Sequence, residues 1–219
     1  MNYFSVCSSI FKYKIDMKTA LKEWNCIVEA LGKGQVTAIY RKGGISDKPN
    51  IRTNSTFNIE KEAFLLYPTF THQDLDKIKK LYWEHLNQNH KLGIQNQLQI
   101  KYWAKVFEEI PIHNLEQLLS ISNELVNSEE HLKSSFDLNP EHIGKVLILR
   151  VYSLKYSILL AESPEYGGCK SWIELNNIDI PRIKSKSVLS FKDFSKKLKS
   201  IKSSIEENAF NTRLPLVAS

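Results

Sequence analysis

Apolar positions recur along this chain in two rhythms, and each rhythm predicts a kind of element. From Lys18 to Leu31 the residues Leu21, Trp24, Ile27, Val28 and Leu31 return at three- and four-residue spacing, with Gly32 and Gly34 at the end. That spacing predicts an amphipathic helix with Trp24, Ile27 and Val28 in the core. The same rhythm in Leu75, Ile78, Leu81, Tyr82 and His85, opened by Thr71 with Asp74 three residues on, predicts a helix over about residues 72 to 88. A third helix opens after Ser190 and carries Phe191, Phe194, Leu198, Ile201 and Ile205. Asn114, before Leu115, Leu118 and Leu119, and Ser128, ahead of Phe136, are N-caps of two shorter helices.

Alternation predicts strands. Val36, Ala38 and Tyr40 alternate with Thr37 and Ile39 between Gln35 and Arg41, ahead of Gly43 and Gly44. Ile100, Tyr102, Ala104 and Val106 alternate in Leu98 to Phe107, and Pro111 closes that element. The apolar run Phe64 to Tyr67 is stopped by Pro68, Val146 to Leu154 reads as a central strand, and Trp172 to Leu175 as a shorter one. Asp47 to Asn58, polar and holding Pro49, reads as an exposed loop.

These elements predict an α+β fold: a small, curved, mostly antiparallel β-sheet or partial barrel with peripheral helices and a basic C-terminal helix. The expected division is an N-terminal extension (1–17), an α+β domain (18–180) and a basic helix and tail (181–219). Hydrophobic residues at 42% and charged residues at 25% of the 219 fit a globular chain and exclude wholesale disorder. Cys7, Cys26 and Cys169 are widely separated and form no metal-binding pair, which points to a reducing cytoplasm and no structural zinc. No run approaches the roughly 20 apolar residues of a membrane span. The first 17 residues lack a basic leading end and a small-residue cleavage site, so no signal peptide is expected.

The formal net charge of +6 suits polyanions such as nucleic acid or an acidic membrane surface. Much of the excess lies in Arg182, Lys184, Lys186, Lys192, Lys196, Lys197, Lys199 and Lys202, opposed only by Asp193. A solvated helix face accounts for such a run equally well.

Four segments stand in order: Ala20-Leu21-Lys22-Glu23-Trp24, Arg41-Lys42-Gly43-Gly44-Ile45, Phe64-Leu65-Leu66-Tyr67-Pro68-Thr69 with His72-Gln73, and Tyr166-Gly167-Gly168-Cys169-Lys170-Ser171-Trp172. With Leu149-Arg150-Val151-Tyr152, this set resembles bacterial domain-of-unknown-function family 1802 over about Lys18 to Leu175. The family has no established activity. The resemblance implies a setting with restriction-type nuclease domains, and hence restriction of foreign DNA with a nuclease as partner protein. Asn114 to Leu138 and the residues beyond Pro181 match it only loosely.

Read for chemistry, Arg41 and Lys42 ahead of Gly43 and Gly44 place cations at a turn with exposed amides, suited to a phosphate or equally to a plain strand-ending turn. Lys192, Lys196 and Lys199 are further candidates for phosphate contacts. His72 and Gln73, following Tyr67 and Thr69, fall at a predicted helix start, where they face a ligand or simply cap. Tyr166, Lys170, Ser171 and Trp172 surround flexible glycines and suit a stacked base, although a Trp entering an apolar strand is commonly core. Cys169 has only Lys170 nearby to lower its pKa. The nuclease pattern of an acid followed by acid-x-Lys occurs only as Asp16-Met17-Lys18, ahead of a predicted helix, and no metal site or cofactor motif is present.

The reading is a nucleic-acid-binding module, with DNA as the expected polymer, acting as a modified-base reader in a restriction or phage-defence setting. By analogy of element order and aromatic loops it is similar to the small PUA-like β-barrel domains. The alternatives are a metal-dependent nuclease or other hydrolase assembling Glu23, Glu29 and His72 in the fold, and a partner-binding subunit of a restriction-like complex.

Overall fold

A computed structural model describes residues 18–42, 59, 62–86, 97–138, 142–161, 163–168, 170–176 and 184–210. The N-terminal 17 residues, Gly43, Gly44, the expected loop from Asp47 to Asn58, Cys169, Arg182 and residues 211–219 lie outside them.

Two long strands form the spine. β4 (Gln97–Ile112) and β5 (Gly144–Ala161) pair antiparallel over most of their length. The register shifts between Ile100 and Tyr102 and between Val106 and Glu108, irregularities that bend a strand pair and raise its twist. β5 also pairs with β2 (Ala38–Arg41) near its start and with β7 (Ser185–Ser187) further along. On the other side β4 pairs with β3 (Ala63–Thr69), β3 runs parallel to β1 (Thr19–Trp24), and β1 pairs with β6 (Trp172–Glu174). The order is β2-β5-β4-β3-β1-β6, with β7 beside β5, and among the described strands only the β1/β3 pairing is parallel. The chain therefore adopts the expected α+β class with a curved, mostly antiparallel sheet.

One side-chain contact measures the curvature. Three strands separate β2 from β1, which in a flat sheet would hold them about 19 Å apart. Yet Nη2 of Arg41 on β2 donates to the carbonyl of Lys22 on β1 at 2.9 Å. No arginine spans a gap of that size, so the sheet curls until β2 and β1 meet through side chains.

Both faces of the sheet are covered, which is why several strands read as continuous apolar runs rather than alternating ones. Leu21, Ile39, Phe64, Leu66, Leu147 and Leu149 point to one face and pack with Ile27, Val28 and Leu31 of α1 (Asn25–Gly32). Their neighbours Ala20, Leu65, Tyr67 and Ile173 pack on the opposite face. Beyond them Ala38, Val146 and Ile148 meet α2 (Leu115–Ser120), α3 (Glu129–Asp137) and α4 (Phe191–Phe210) through Leu118, Leu132, Phe194 and Ile201.

The short helices begin where their capping residues predict. Asn114 Oδ1 accepts from the Gln117 backbone at 2.8 Å, Ser128 Oγ from His131 at 3.2 Å, and Ser190 Oγ from Asp193 at 3.1 Å.

Two predicted helices differ from the structure. The stripe from Lys18 to Leu31 is half strand: Thr19 to Trp24 form β1, and only Asn25 onward is helical. A strand buried on both faces carries apolar residues at helical spacing as well, and the ladders to β3 and β6 decide the matter here. The helix expected at 72 to 88 is replaced by two 3-10 turns, Leu75–Lys77 and Lys80–His85. Ile78 between them is drawn into a β-bridge with Asn127, and Lys79 N–H donates to the Val126 carbonyl at 3.1 Å. Pro111 does not close β4 but lies inside it opposite Lys145, beyond the reach of β3, where a missing N–H leaves no neighbour unsatisfied.

Candidate functional site

At the seam where β2 approaches β1, a cavity of about 500 Å³ opens. Its floor is the end of β1 with Lys22, Glu23 and Trp24, and its walls come from Tyr40, Arg41 and Lys42, from α3, and from the loop leading into β6. The curl of the sheet creates it by bringing β2 up to β1, with Arg41 reaching across to Lys22 and Glu23.

The structure brings together Arg41, Lys42, Thr69, His72, Lys170 and Ser171, all of which line this cavity. It does not bring Tyr67, Gln73, Tyr166 or Trp172 to the lining. Tyr67 and Tyr166 are buried against each other with centroids 6.0 Å apart. Trp172 meets Phe64 edge to face at 5.0 Å and packs on the core. Gln73 Oε1 accepts from the Cys26 N–H at 2.9 Å and so satisfies a free amide at the start of α1. Lys192, Lys196 and Lys199 are exposed on α4 and are not among the cavity residues.

Among the described residues, four basic side chains, Lys22, Arg41, Lys42 and Lys170, line the cavity against the single carboxylate of Glu23. Glu23 is 8% exposed and meets Arg41 Nη2 at 2.8 Å, while its other oxygen accepts from Trp24 N–H at 2.9 Å. Lys22 Nζ donates to the carbonyls of Tyr166 at 2.5 Å and Gly168 at 2.9 Å and so holds the loop before β6 against β1. Gly168 in that loop has φ +75°, a conformation that a side chain would strain. Lys42 Nζ donates to the Phe136 carbonyl in the last turn of α3 and lies 4.7 Å from the Phe136 ring centroid, a favourable place for a cation at a helix C-terminus.

Basic side chains thus outnumber carboxylates in the described lining, with Arg41 paired to Glu23.

The sequence reading missed the aromatic wall. Trp24 is half-buried and lies over His131 of α3 with centroids 5.2 Å apart and planes tilted by 34°. Burial, reinforced by the nearby Lys77 charge, lowers the His131 pKa from its ordinary value and favours the neutral imidazole. His131 Nε2 faces Ser135 Oγ one turn on, at 3.4 Å. Trp24 was legible only as part of an apolar stripe, and nothing near His131 in sequence singles it out. His72 occupies a turn with φ 61°, unusual for a residue with a side chain, and is exposed at the cavity rim.

Glu29, considered with Glu23 and His72 as part of a hydrolase centre, does not line the cavity; it is paired with Lys101 at 2.8 Å. Among the described residues no group of three or more His, Cys, Asp or Glu is placed to hold a metal, and no helix among them is long and apolar enough to cross a membrane.

A family model described as "Domain of unknown function (DUF1802)" matches residues 20–200. The chain belongs to this family. The matched span includes every residue that lines the cavity. No curated protein matches the chain. Among solved structures it is similar to a mutant protein of ZmASCH from Zymomonas mobilis, at 12% identity and a TM-score of 0.42 over 85% of this chain and 97% of that one. It is also similar to ASCH from the same organism, at 13% identity and a TM-score of 0.40 over 83% of this chain and 93% of that one. Likeness at this level transfers no role to any residue of the family member described here.

Proposed function

We propose that the protein is a nucleic-acid-binding module that takes an unpaired or extruded nucleotide into the cavity between β1, β2 and α3. The observation that carries this reading is the meeting of the Trp24–His131 pair with Lys22, Arg41, Lys42 and Lys170 in one cavity. A nucleotide offers a flat ring and a phosphate, and this lining offers an aromatic face and cations. A volume of about 500 Å³ admits one nucleotide.

In the restriction setting that the sequence resemblance implies, the polymer is DNA and the occupant is a modified base turned out of its stack. Thr69, Thr71 and Ser171 stand at the lining to hydrogen-bond base edges. The test is a set of anisotropy titrations at low salt with single-stranded, duplex and mismatched oligonucleotides, with and without a modified base. The reading expects single strands and mismatched duplexes to bind more tightly than perfect duplex, and a modified base to add affinity. Equal affinity for all of them overturns the base pocket, and absence of binding overturns the nucleic-acid reading.

A further inference from the structure

A second groove, of about 530 Å³, shares no lining residue with the cavity. It runs between the C-terminal end of α1 at Gly32 and Lys33 and the pairing of β5 with β7. In that pairing Leu154 faces Ser185 and Ser153 faces Lys186. The next step brings Lys155 opposite Lys184, and the Lys155 N–H donates to the Lys184 carbonyl at 2.8 Å. Residues directly opposed in an antiparallel pair share a face with Cβ atoms about 5 Å apart, and like charges there destabilise the pairing. Lys186 lies on the same face about 7 Å further along. Lys33, at the helix end, also lines the groove but is paired with Glu84 at 3.7 Å.

Lys155, Lys184 and Lys186 are exposed, and none has an ion-pair partner among the described residues. On α4, Lys197 and Lys202 reach Glu124 and Glu108 at 3.3 and 2.7 Å, while Lys192, Lys196 and Lys199 are exposed but are not opposed pairwise across a strand ladder. An edge strand gains protection against aggregation from a single lysine, but that need does not call for two lysines directly opposed. An anion laid along the strip relieves their repulsion.

We infer that this groove holds the phosphodiester backbone of a single-stranded nucleic acid. The lysines form a narrow strip along one strand pair, which fits a linear chain of phosphates rather than a lipid surface. The hydroxyl of Ser153, on the same face as Lys186, offers a hydrogen bond to a phosphate oxygen, and the Tyr156 ring, 73% exposed and 5.1 Å from Lys155 Nζ, offers a face on which a base stacks. Groove and cavity lie at opposite ends of α1, about 12 Å of helix apart, so one strand a few nucleotides long spans both. The inference rests on the proposed function only for the identity of the polymer.

The experiment compares the full chain with the triple variant Lys155→Ser, Lys184→Ser, Lys186→Ser, using a 20-nucleotide homopolymer for the groove and a nucleoside monophosphate for the cavity. Each lysine withdrawn from a single strand lowers the slope of log K against log salt by about 0.7. The triple variant is expected to lose about 2 in slope and at least tenfold in low-salt affinity for the 20-mer, with an unchanged or raised Tm and unchanged monophosphate binding. A 20-mer bound with wild-type slope and affinity overturns the inference. Loss of binding to phosphatidylserine vesicles with 20-mer binding intact also overturns it, in favour of a membrane surface. If wild type binds the 20-mer with the expected loss in the variant but ignores the monophosphate, the groove stands and the nucleotide cavity falls.

Discussion

The guanidinium of Arg41 lies 2.8 Å from the carboxylate of Glu23, and this pair ties β2 to β1 across the curl of the sheet. An exposed cation contributes little to stability, but the Arg41 side chain is only 21% exposed and its partner is buried. Arg41→Ala leaves the Glu23 carboxylate without its cation and is expected to cost about 3 kcal/mol in urea unfolding. Adding Glu23→Gln should recover part of that loss. A single variant within 0.5 kcal/mol of wild type, on the order of an ordinary surface substitution, contradicts the role given to the pair.

Gly144 makes a second seam residue exacting. A Cβ placed there would stand 2.2 Å from the Tyr40 hydroxyl and 2.5 Å from its ring, at the point where β4 ends beside β5. Gly144→Ala is expected to destabilise by about 1–3 kcal/mol, the range of ordinary overpacking. Combining it with Tyr40→Ala should relieve the clash, so the two costs measured by thermal unfolding should fall short of additive.

The histidines give a pH dependence with a definite sign. His85 is fully buried with Nε2 2.8 Å from Gln35 Oε1, and burial followed by the Lys33 charge holds its pKa below the ordinary 6.5. His131 is lowered for the same first reason. The unfolded chain takes up protons that the folded chain resists, so their stabilising effect is complete above 6.5 and is lost as pH falls through that value towards the lowered ones. Unfolding free energy should drop between pH 7 and 5.5, by at most about 1.4 kcal/mol per pH unit for His85. A flat profile over that range contradicts the assignment.

Cys26 sits at the start of α1, fully buried, and burial first, then the Glu23 charge, pushes its thiol up to about 12. A thiol-specific reagent at pH 8 should therefore label it only after denaturation. Labelling of Cys26 in the folded protein, located by mass spectrometry, contradicts that burial.

Much of this architecture was legible in the residues. Asn114 and Ser128 announced two helix starts, the apolar spacing after Ser190 announced a third, and the apolar runs at Phe64 and Val146 announced β3 and β5, because caps and buried faces depend on local chemistry. The stretch from Thr19 to Trp24 was misread because a strand covered on both faces shows no alternation. The segment after His72 was misread because its backbone partners, Val126 and Asn127, lie some fifty residues away. The candidate site was legible in part for the same reason. Arg41, Lys42, His72 and Lys170 end predicted elements and fall at one seam, whereas the Trp24–His131 contact depends on how far the sheet curls, which no single segment encodes.

Trp24 decides the central claim. Its ring is the aromatic face of the cavity, so the most direct measurement is the affinity of a single-stranded oligonucleotide for wild type, Trp24→Phe and Trp24→Ala, alongside the Tm of each. Stacking of one base is worth about 1–3 kcal/mol. The account predicts that Trp24→Ala binds at least fivefold more weakly, that Trp24→Phe retains most of the affinity, and that the loss persists when folding is verified at the assay temperature. Wild-type affinity in a folded Trp24→Ala protein would contradict it.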